Sequence, residues 1–329
     1  MKELIEKLVN AYGPSGFEDD VREVIRQEVE PYGEVSVDAL GSLIVHKRGD
    51  GKGRKVMVAA HMDEIGVMVT HVTKEGFLRF TNIGGVYPHT LMGGRVQFAG
   101  GAVGVIHSER LEERGKVHAL DKHFIDVGAG SREESPVRVG DAAAFYGPFR
   151  QQGERYIAKS MDDRIGCAVA IAALQQQEAT PHDVYFVFSV QEEVGTRGAQ
   201  AAANAIEPEI GIALDVTTTG DTPGARAMAV ELGKGPAIKV KDVGMIAHSG
   251  LVQLMRQRAE EAGIPHQMEV LEGGSTDARS IQIAGAGSAA GTISIPCRYV
   301  HSQSEIVDAN DAQNSVKLLL EILANPIDL

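Results

Sequence analysis

The stretch DVYFVFSVQEEVGTRGAQAAANAI, residues 183–206, decides the fold. It opens on an almost continuous apolar run, which marks a strand buried on both faces rather than one alternating between core and solvent. It closes on TRGAQAAANAI (196–206), a run of small residues with helical character that can lie close against a sheet. Strand, loop and helix in that order form the unit of an α/β sheet covered on both sides. Between them stand Glu192 and Glu193. Two adjacent carboxylates at the rim of a core repel each other unless a positive charge compensates, so the pair raises a question of chemistry as well as of fold.

The same grammar recurs on either side. KVMVAAHMDE (55–64), EIGIALDV (209–216), AIKVKD (237–242) and AGTISIP (290–296) read as strands. DDRIGCAVAIAALQQQ (162–177), SGLVQLMRQRAEEAG (249–263), DARSIQIAG (277–285) and SVKLLLEILAN (315–325) read as helices. The first sixty residues predict helix, helix, strand, strand. The second helix carries Val21, Val24, Ile25 and Val29 on one face, with Ser15 as its cap. From about residue 67 to 153 the character changes. GFLRFTNIG (76–84) and RVQFAGGAVGVIH (95–107) alternate with period two and are rich in glycine, so this segment reads as a separate all-β module. The expected layout is an α/β domain from 1–66 and 154–329, interrupted by a β insertion at 67–153. A structureless connection of that length is implausible inside a compact domain.

Bulk properties narrow the function. The 329-residue chain is 43% apolar and carries a net charge of −13, which argues against nucleic acid or anionic membrane as a partner. No apolar run reaches the length of a membrane span. The N-terminus places Leu4, Ile5, Leu8 and Val9 on one stripe among charged residues, unlike a secretory signal. The two cysteines, Cys167 and Cys297, make neither a disulfide framework nor a thiolate metal site. The expectation is a soluble cytoplasmic protein.

Functional side chains in α/β sheets collect just beyond the strand ends. Five segments place a histidine or carboxylate after a buried strand or before a helix: His61 and Asp63, Asp162 and Asp163 (before the DDRIGC helix), Glu192 and Glu193, Asp215, and His301. Each alone has a bland explanation. A lone histidine is more often a hydrogen-bonded structural residue, an aspartate before a helix more often an N-cap, and an acidic pair more often a solvated turn. Five such coincidences are harder to explain away. Imidazole with carboxylate suits zinc, cobalt or manganese. The set is too large for one tetrahedral ion and suits two ions about 3.5–4 Å apart sharing a carboxylate. In His61-x-Asp63 the period-two spacing puts both side chains on one side, so Asp63 can orient the ring that binds metal. Glu192 and Glu193 diverge in an extended segment, so one can hold metal while the other reaches the attacking water.

The motifs AHMDEIG, SMDDRIG, QEEVGTRGA, ALDVT and RYVHS, in that order, are similar to those of the M42 metallo-aminopeptidases, which include the tetrahedral TET peptidases and glutamyl aminopeptidases. The resemblance spans nearly the whole chain. It implies that His61 and Asp215 bind one metal, Glu193 and His301 the other, and that Asp162 bridges them. It implies Glu192 as general base and Asp63 as support for His61. It also implies a zinc-peptidase-like mixed sheet flanked by helices, an inserted PDZ-like β-barrel, two Zn²⁺ or Co²⁺ ions per subunit, short peptides as substrates, and assembly into a homo-oligomer, a dodecamer built from dimers. The loop LEGGSTDARS resembles a family loop near the active site, so Thr276 and Asp277 are candidate substrate contacts beside their plainer reading as a capped turn. Arg298 is a third candidate, with a surface salt bridge as the alternative. His248 reads as a capping or packing residue. GAGSAAG (285–291) imitates a nucleotide loop, but a strand follows where that motif needs a helix.

The leading expectation is a metal-dependent aminopeptidase. A deacylase or carboxypeptidase of the same clan keeps the fold and changes the substrate. A glycosidase needs two carboxyls facing each other across one bond, which adjacent glutamates do not provide, and it leaves the histidines unexplained. A non-enzymatic binding protein ranks last, because no ligand or base position is lost.

Overall fold

The computed structural model describes residues 1–110 and 116–329. The chain opens with helices α1 (Lys2–Asn10) and α2 (Asp19–Val29), followed by strands β1 (Glu34–Val37), β2 (Leu43–Lys47) and β3 (Lys55–His61). It then enters a β unit made of β4 (Gly66–Val72), β5 (Leu78–Ile83), β6 (Arg95–Phe98), β7 (Val103–Ser108), β8 (His123–Asp126) and β9 (Ala142–Phe145). The remainder runs β10 (Arg150–Gln152), β11 (Arg155–Ala158), α3 (Met161–Gln176), β12 (Asp183–Ser189), α4 (Arg197–Ile206), β13 (Ile210–Thr217), β14 (Ala237–Lys241), α5 (Ser249–Glu261), β15 (Gln267–Val270), α6 (Ala278–Gln282), β16 (Ala289–Arg298), β17 (Glu305–Asp308) and α7 (Ala309–Ala324).

Among the described residues the large sheet has eleven strands. Its main path is β1-β2-β12-β3-β13-β16-β17-β11-β10, with β14 and β15 branching from β16. The centre, β12-β3-β13-β16, is parallel; the strands beyond it on the main path pair antiparallel, and in the branch β14 pairs antiparallel with β16 and parallel with β15. Every residue of β13 is buried, Asp215 and Thr217 included, as a strand that opens on the apolar run IGIAL and is covered on both faces requires. Helices α1, α2, α3, α5 and α7 share the principal core on one face. On the other face, α4 and α6 set Ala199, Ala202, Ala203 and Ile281 against Met57, Ala59 and Val187. The small residues of α4 thus allow the close approach their sequence suggested. Helix α3 is buried on all sides from Met161 to Leu174, which explains its lack of an apolar stripe.

The β unit is a closed antiparallel barrel in the order β4-β5-β8-β7-β6-β9, with its own core around Val67, Leu78, Val96, Ile106 and Ile125. The chain is back in the large sheet by Arg150, where β10 pairs with β11. No described helix is long and apolar enough to cross a membrane.

Two local expectations change. A short edge strand, β1, precedes the two strands expected before residue 61; three of its four residues are exposed, so it lacks an apolar pattern. Ser15 is not the cap of α2, which begins at Asp19 without a side-chain cap. The segment around Ser15 runs alongside the end of β3, with Glu64 N–H donating to Gly13 at 3.0 Å and Ser15 N–H to Glu64 at 3.3 Å. That pairing brings the Ser15 hydroxyl to Asp63 at 2.6 Å instead.

Candidate active site

The ends of the parallel strands open onto a cavity of about 1060 Å³, lined in part by His61, Asp162, Glu192, Glu193, Asp215 and His301. β3 delivers His61, β12 leads into Glu192 and Glu193, β13 delivers Asp215, and the segment after β16 carries His301. His61 Nε2 stands 2.9 Å from one oxygen of Asp162 and 3.9 Å from Asp215. His301 Nε2 stands 3.3 Å from the other oxygen of Asp162 and 3.1 Å from Glu193. Two groups therefore form, His61–Asp162–Asp215 and Asp162–Glu193–His301, each with its donor atoms within 4.8 Å of one another, and Asp162 belongs to both.

Neighbouring Asp163 shows the plainer fate of an aspartate before a helix. Its carboxylate accepts the Gly166 N–H at 3.0 Å, capping the regular part of α3 while Asp162 faces the cavity.

The electrostatics fit a cation site. Burial pushes the Glu192 carboxyl well above its usual range; Asp215 and Asp277 push the same way, against His61. Burial likewise raises Asp215 and Glu193. Asp162 goes the other way: burial opposes its charge, but hydrogen bonds from His301 and His61 outweigh it. His301 is pushed up to about 12 because Glu193 and Asp162 overcome the burial of its ring. The set holds protons where it would hold cations, and the two compete for the same lone pairs. Glu193 Oε1 is buried 3.1 Å from His301 Nε2 without an aligned hydrogen bond to it, as suits two donors turned toward one ion. Imidazole and carboxylate donors in this ratio suit a divalent ion of the zinc or cobalt type.

Asp63 lies behind this surface, fully buried. Its carboxylate accepts the backbone N–H of Glu192 at 2.9 Å and of Glu193 at 3.2 Å, and one oxygen lies 3.4 Å from His61 Nδ1. It therefore fixes both glutamates as well as the histidine. Thr276 and Asp277 are buried behind the cavity and do not line it. The Thr276 hydroxyl meets Thr292 at 3.1 Å, and Asp277 accepts from Ser189. The cavity-lining members of that loop are Leu271 to Ser275 and Arg279. Arg298 does line the cavity, but its guanidinium is engaged in a two-pronged pair with Asp221 at 3.1 and 2.7 Å. His248 occupies the N-cap position of α5 without making a side-chain cap bond.

Several contributors were not singled out from the sequence. Glu305 accepts the backbone N–H groups of Asp162 at 3.0 Å and His301 at 2.8 Å, tying the two together from behind. Glu64 receives Lys159 at 2.6 Å and Arg164 at 3.3 Å. Arg164, wholly buried, also donates to the Leu8 carbonyl at 2.6 Å, which binds α1 to the start of α3. Lys239 and Glu269, both buried, face each other at 3.4 Å on the cavity wall.

Comparison with known proteins agrees with this geometry. Residues 41–318 match the model of the M42 glutamyl aminopeptidase family. A relative from Acetivibrio thermocellus is 48% identical over 326 residues, covering 98% of each chain. The aminopeptidase APDkam598 of the archaeon Desulfurococcus kamchatkensis superposes with a TM-score of 0.95 at 40% identity, covering 98% of this chain and 94% of that one. The Pyrococcus horikoshii TET1 peptidase, which can assemble into a tetrahedron or a large octahedral shell, superposes at 0.86 with 34% identity and 98% coverage of both. The chain belongs to the M42 aminopeptidase family and is a peptide hydrolase.

Proposed function

We propose that the enzyme removes N-terminal residues from short peptides with two divalent cations, Zn²⁺ or Co²⁺, held by His61 and Asp215 on one side, Glu193 and His301 on the other, and Asp162 between them. The observation that carries this reading is the placement of the two Asp162 oxygens, one toward each histidine. Bound there, the cations would supply Lewis acidity and lower the pKa of a water. Glu192 lines the same cavity, belongs to neither donor group, and is the group left to accept the proton of the attacking water and pass it to the leaving amine. Asp63 holds the Glu192 and Glu193 backbones so that the two side chains keep separate tasks.

The reading extends to assembly. Residues 67–153 present apolar side chains outward, with Val103 47%, Val105 43% and Val139 62% exposed, a surface suited to self-association. We propose a closed homo-oligomer, a dodecamer built from dimers, that encloses the cavity and admits short peptides.

The test uses a panel of aminoacyl-chromophore substrates and matched peptides with free or acetylated N-termini. Free-amino substrates should be cleaved and acetylated ones ignored. Chelation should abolish turnover, and added Zn²⁺ or Co²⁺ should restore it. Undiminished turnover in protein shown metal-free by elemental analysis would sink the metal reading. Sedimentation as a 35.1 kDa monomer at micromolar concentration would sink the assembly.

A further inference from the structure

The barrel reaches the cavity. After β5 the chain runs Gly84–Gly85–Val86–Tyr87, and Tyr87 lines the cavity with its ring 6.1 Å from that of His301. A methyl group on Gly85 would stand 2.4 Å from His301 Nδ1 and 2.6 Å from Cε1; its three nearest neighbours all belong to that one ring. On Gly84 it would stand 3.0 Å from Cβ and from Oε2 of Glu193. Gly84 has a φ of +72°, so its turn alone calls for glycine. Gly85 has no such backbone demand. The contact that excludes a side chain there is the imidazole.

The ring meets Gly85 with its Nδ1–Cε1 edge, while the working nitrogen, Nε2, faces Glu193 and Asp162. Metal-binding histidines ordinarily have the second nitrogen fixed by a hydrogen bond. Among the described residues no hydrogen bond reaches His301 Nδ1, and that edge rests on Gly85. The segment is itself held: Asn82 Nδ2 donates to the Gly84 carbonyl at 2.7 Å, as does the Val86 N–H at 3.1 Å. Gln303, just after His301, reaches back to the Thr90 carbonyl at 3.4 Å.

We propose that Gly85, with Gly84 beside it, is a positioning residue for the Asp162–Glu193–His301 cation site, so that the barrel forms a wall of the active centre as well as an assembly surface. The inference rests on the two-cation reading above.

The test titrates Zn²⁺ into metal-stripped, full-length wild type, Gly85→Ala and Gly100→Ala by calorimetry, with elemental analysis of the loaded proteins. Gly100 is an exposed barrel glycine with open space around it and no positive φ. Wild type and Gly100→Ala should bind two ions per chain. Gly85→Ala should bind one normally and the second at least about tenfold more weakly, the scale of a lost orienting contact. In a His301→Asn background, with the ring gone, Gly85→Ala should change nothing further. Should Gly85→Ala fail to fold alone, the double variant must fold. Two ions bound by Gly85→Ala with wild-type affinities, or a double variant that does not fold, overturns the proposal. A wild type binding fewer than two ions instead sinks the two-cation reading, and this inference with it.

Discussion

Asp63 accepts the backbone N–H of Glu192 at 2.9 Å from a fully buried position one layer behind the cavity. Its other oxygen takes the Glu193 N–H and the Ser15 hydroxyl. An amide in its place keeps only one accepting oxygen and turns an NH₂ toward a donor. Asp63→Asn should lose about 1–3 kcal/mol of stability for the buried group left unpaired. It should also weaken cation binding about 10–100-fold. Denaturant unfolding of the metal-free protein and Zn²⁺ titration check the two separately. Unchanged affinity with reduced stability would confine Asp63 to a structural role.

The adjacent glutamates should separate by experiment. Glu192→Gln should retain both ions and lose roughly 10²–10⁴ in kcat. Glu193→Gln should lose occupancy at the His301 side first, because its carboxylate is the one 3.1 Å from that ring. Elemental analysis beside single-turnover kinetics distinguishes them. Two ions with a near-normal rate in Glu192→Gln contradicts the assignment.

Glu18 gives a pH dependence of stability. Burial pushes its carboxyl up to about 7, against the pull of the Gly16 N–H, and only 5% of the residue is exposed. A folded-state value above the unfolded one means that folding favours the protonated form. The contribution is full below about pH 4.5 and is lost as the pH rises through about 7, a swing on the order of 3 kcal/mol. Both hydrogen bonds, from Gly16 at 2.7 Å and Gln191 at 3.1 Å, go to one oxygen, which an amide reproduces. Glu18→Gln should therefore match wild type near pH 4 and become the more stable protein above pH 7. Parallel stability curves for the two metal-free proteins across that range would refute this.

The large sheet was legible because its central strands are buried on both faces and so are written as unbroken apolar runs. The same property exposes His61, Glu192, Glu193, Asp215 and His301, since a polar side chain beyond such a run is conspicuous; Asp162 stands out instead as an acid before a helix, and the fold brings all six to one cavity. Ser15 was misplaced because a serine before an acidic helical turn has the pattern of a cap, and only the pairing of its segment with β3 redirects it to Asp63. Glu305 and Gly85 carry no local signal. One looks like the polar start of a strand and the other like half of a turn, and their contacts with Asp162 and His301 exist only once distant segments meet. Thr276 and Asp277 belong to a loop that does line the cavity through Leu271 to Ser275 and Arg279, but their own side chains turn to Thr292 and Ser189, partners that only the folded chain brings near.

The cavity is also lined by Lys239 and Glu269, directly paired in register on β14 and β15. Both side chains are wholly buried at 3.4 Å from each other. Thr217 donates to Glu269 Oε1, while Glu269 Oε2 and Lys239 Nζ have no hydrogen bond. A buried pair with a free donor and a free acceptor beside a substrate cavity should read the charge of the side chain that enters. Lys239→Met leaves Glu269 uncompensated, and Glu269→Gln leaves the ammonium uncompensated. Each should cost about 3–5 kcal/mol of stability, whereas the double change to neutral groups should recover much of it. Relative to wild type, Lys239→Met should shift kcat/KM toward substrates with N-terminal Lys or Arg, and Glu269→Gln toward Glu or Asp. A change of about tenfold in the ratio corresponds to only about 1.4 kcal/mol, well within what one uncompensated charge supplies. The measurement is the Glu-to-Lys ratio of kcat/KM across the aminoacyl panel, at constant ionic strength, for each folded variant. A ratio that stays fixed in both single variants would show that substrate side chains do not reach this pair.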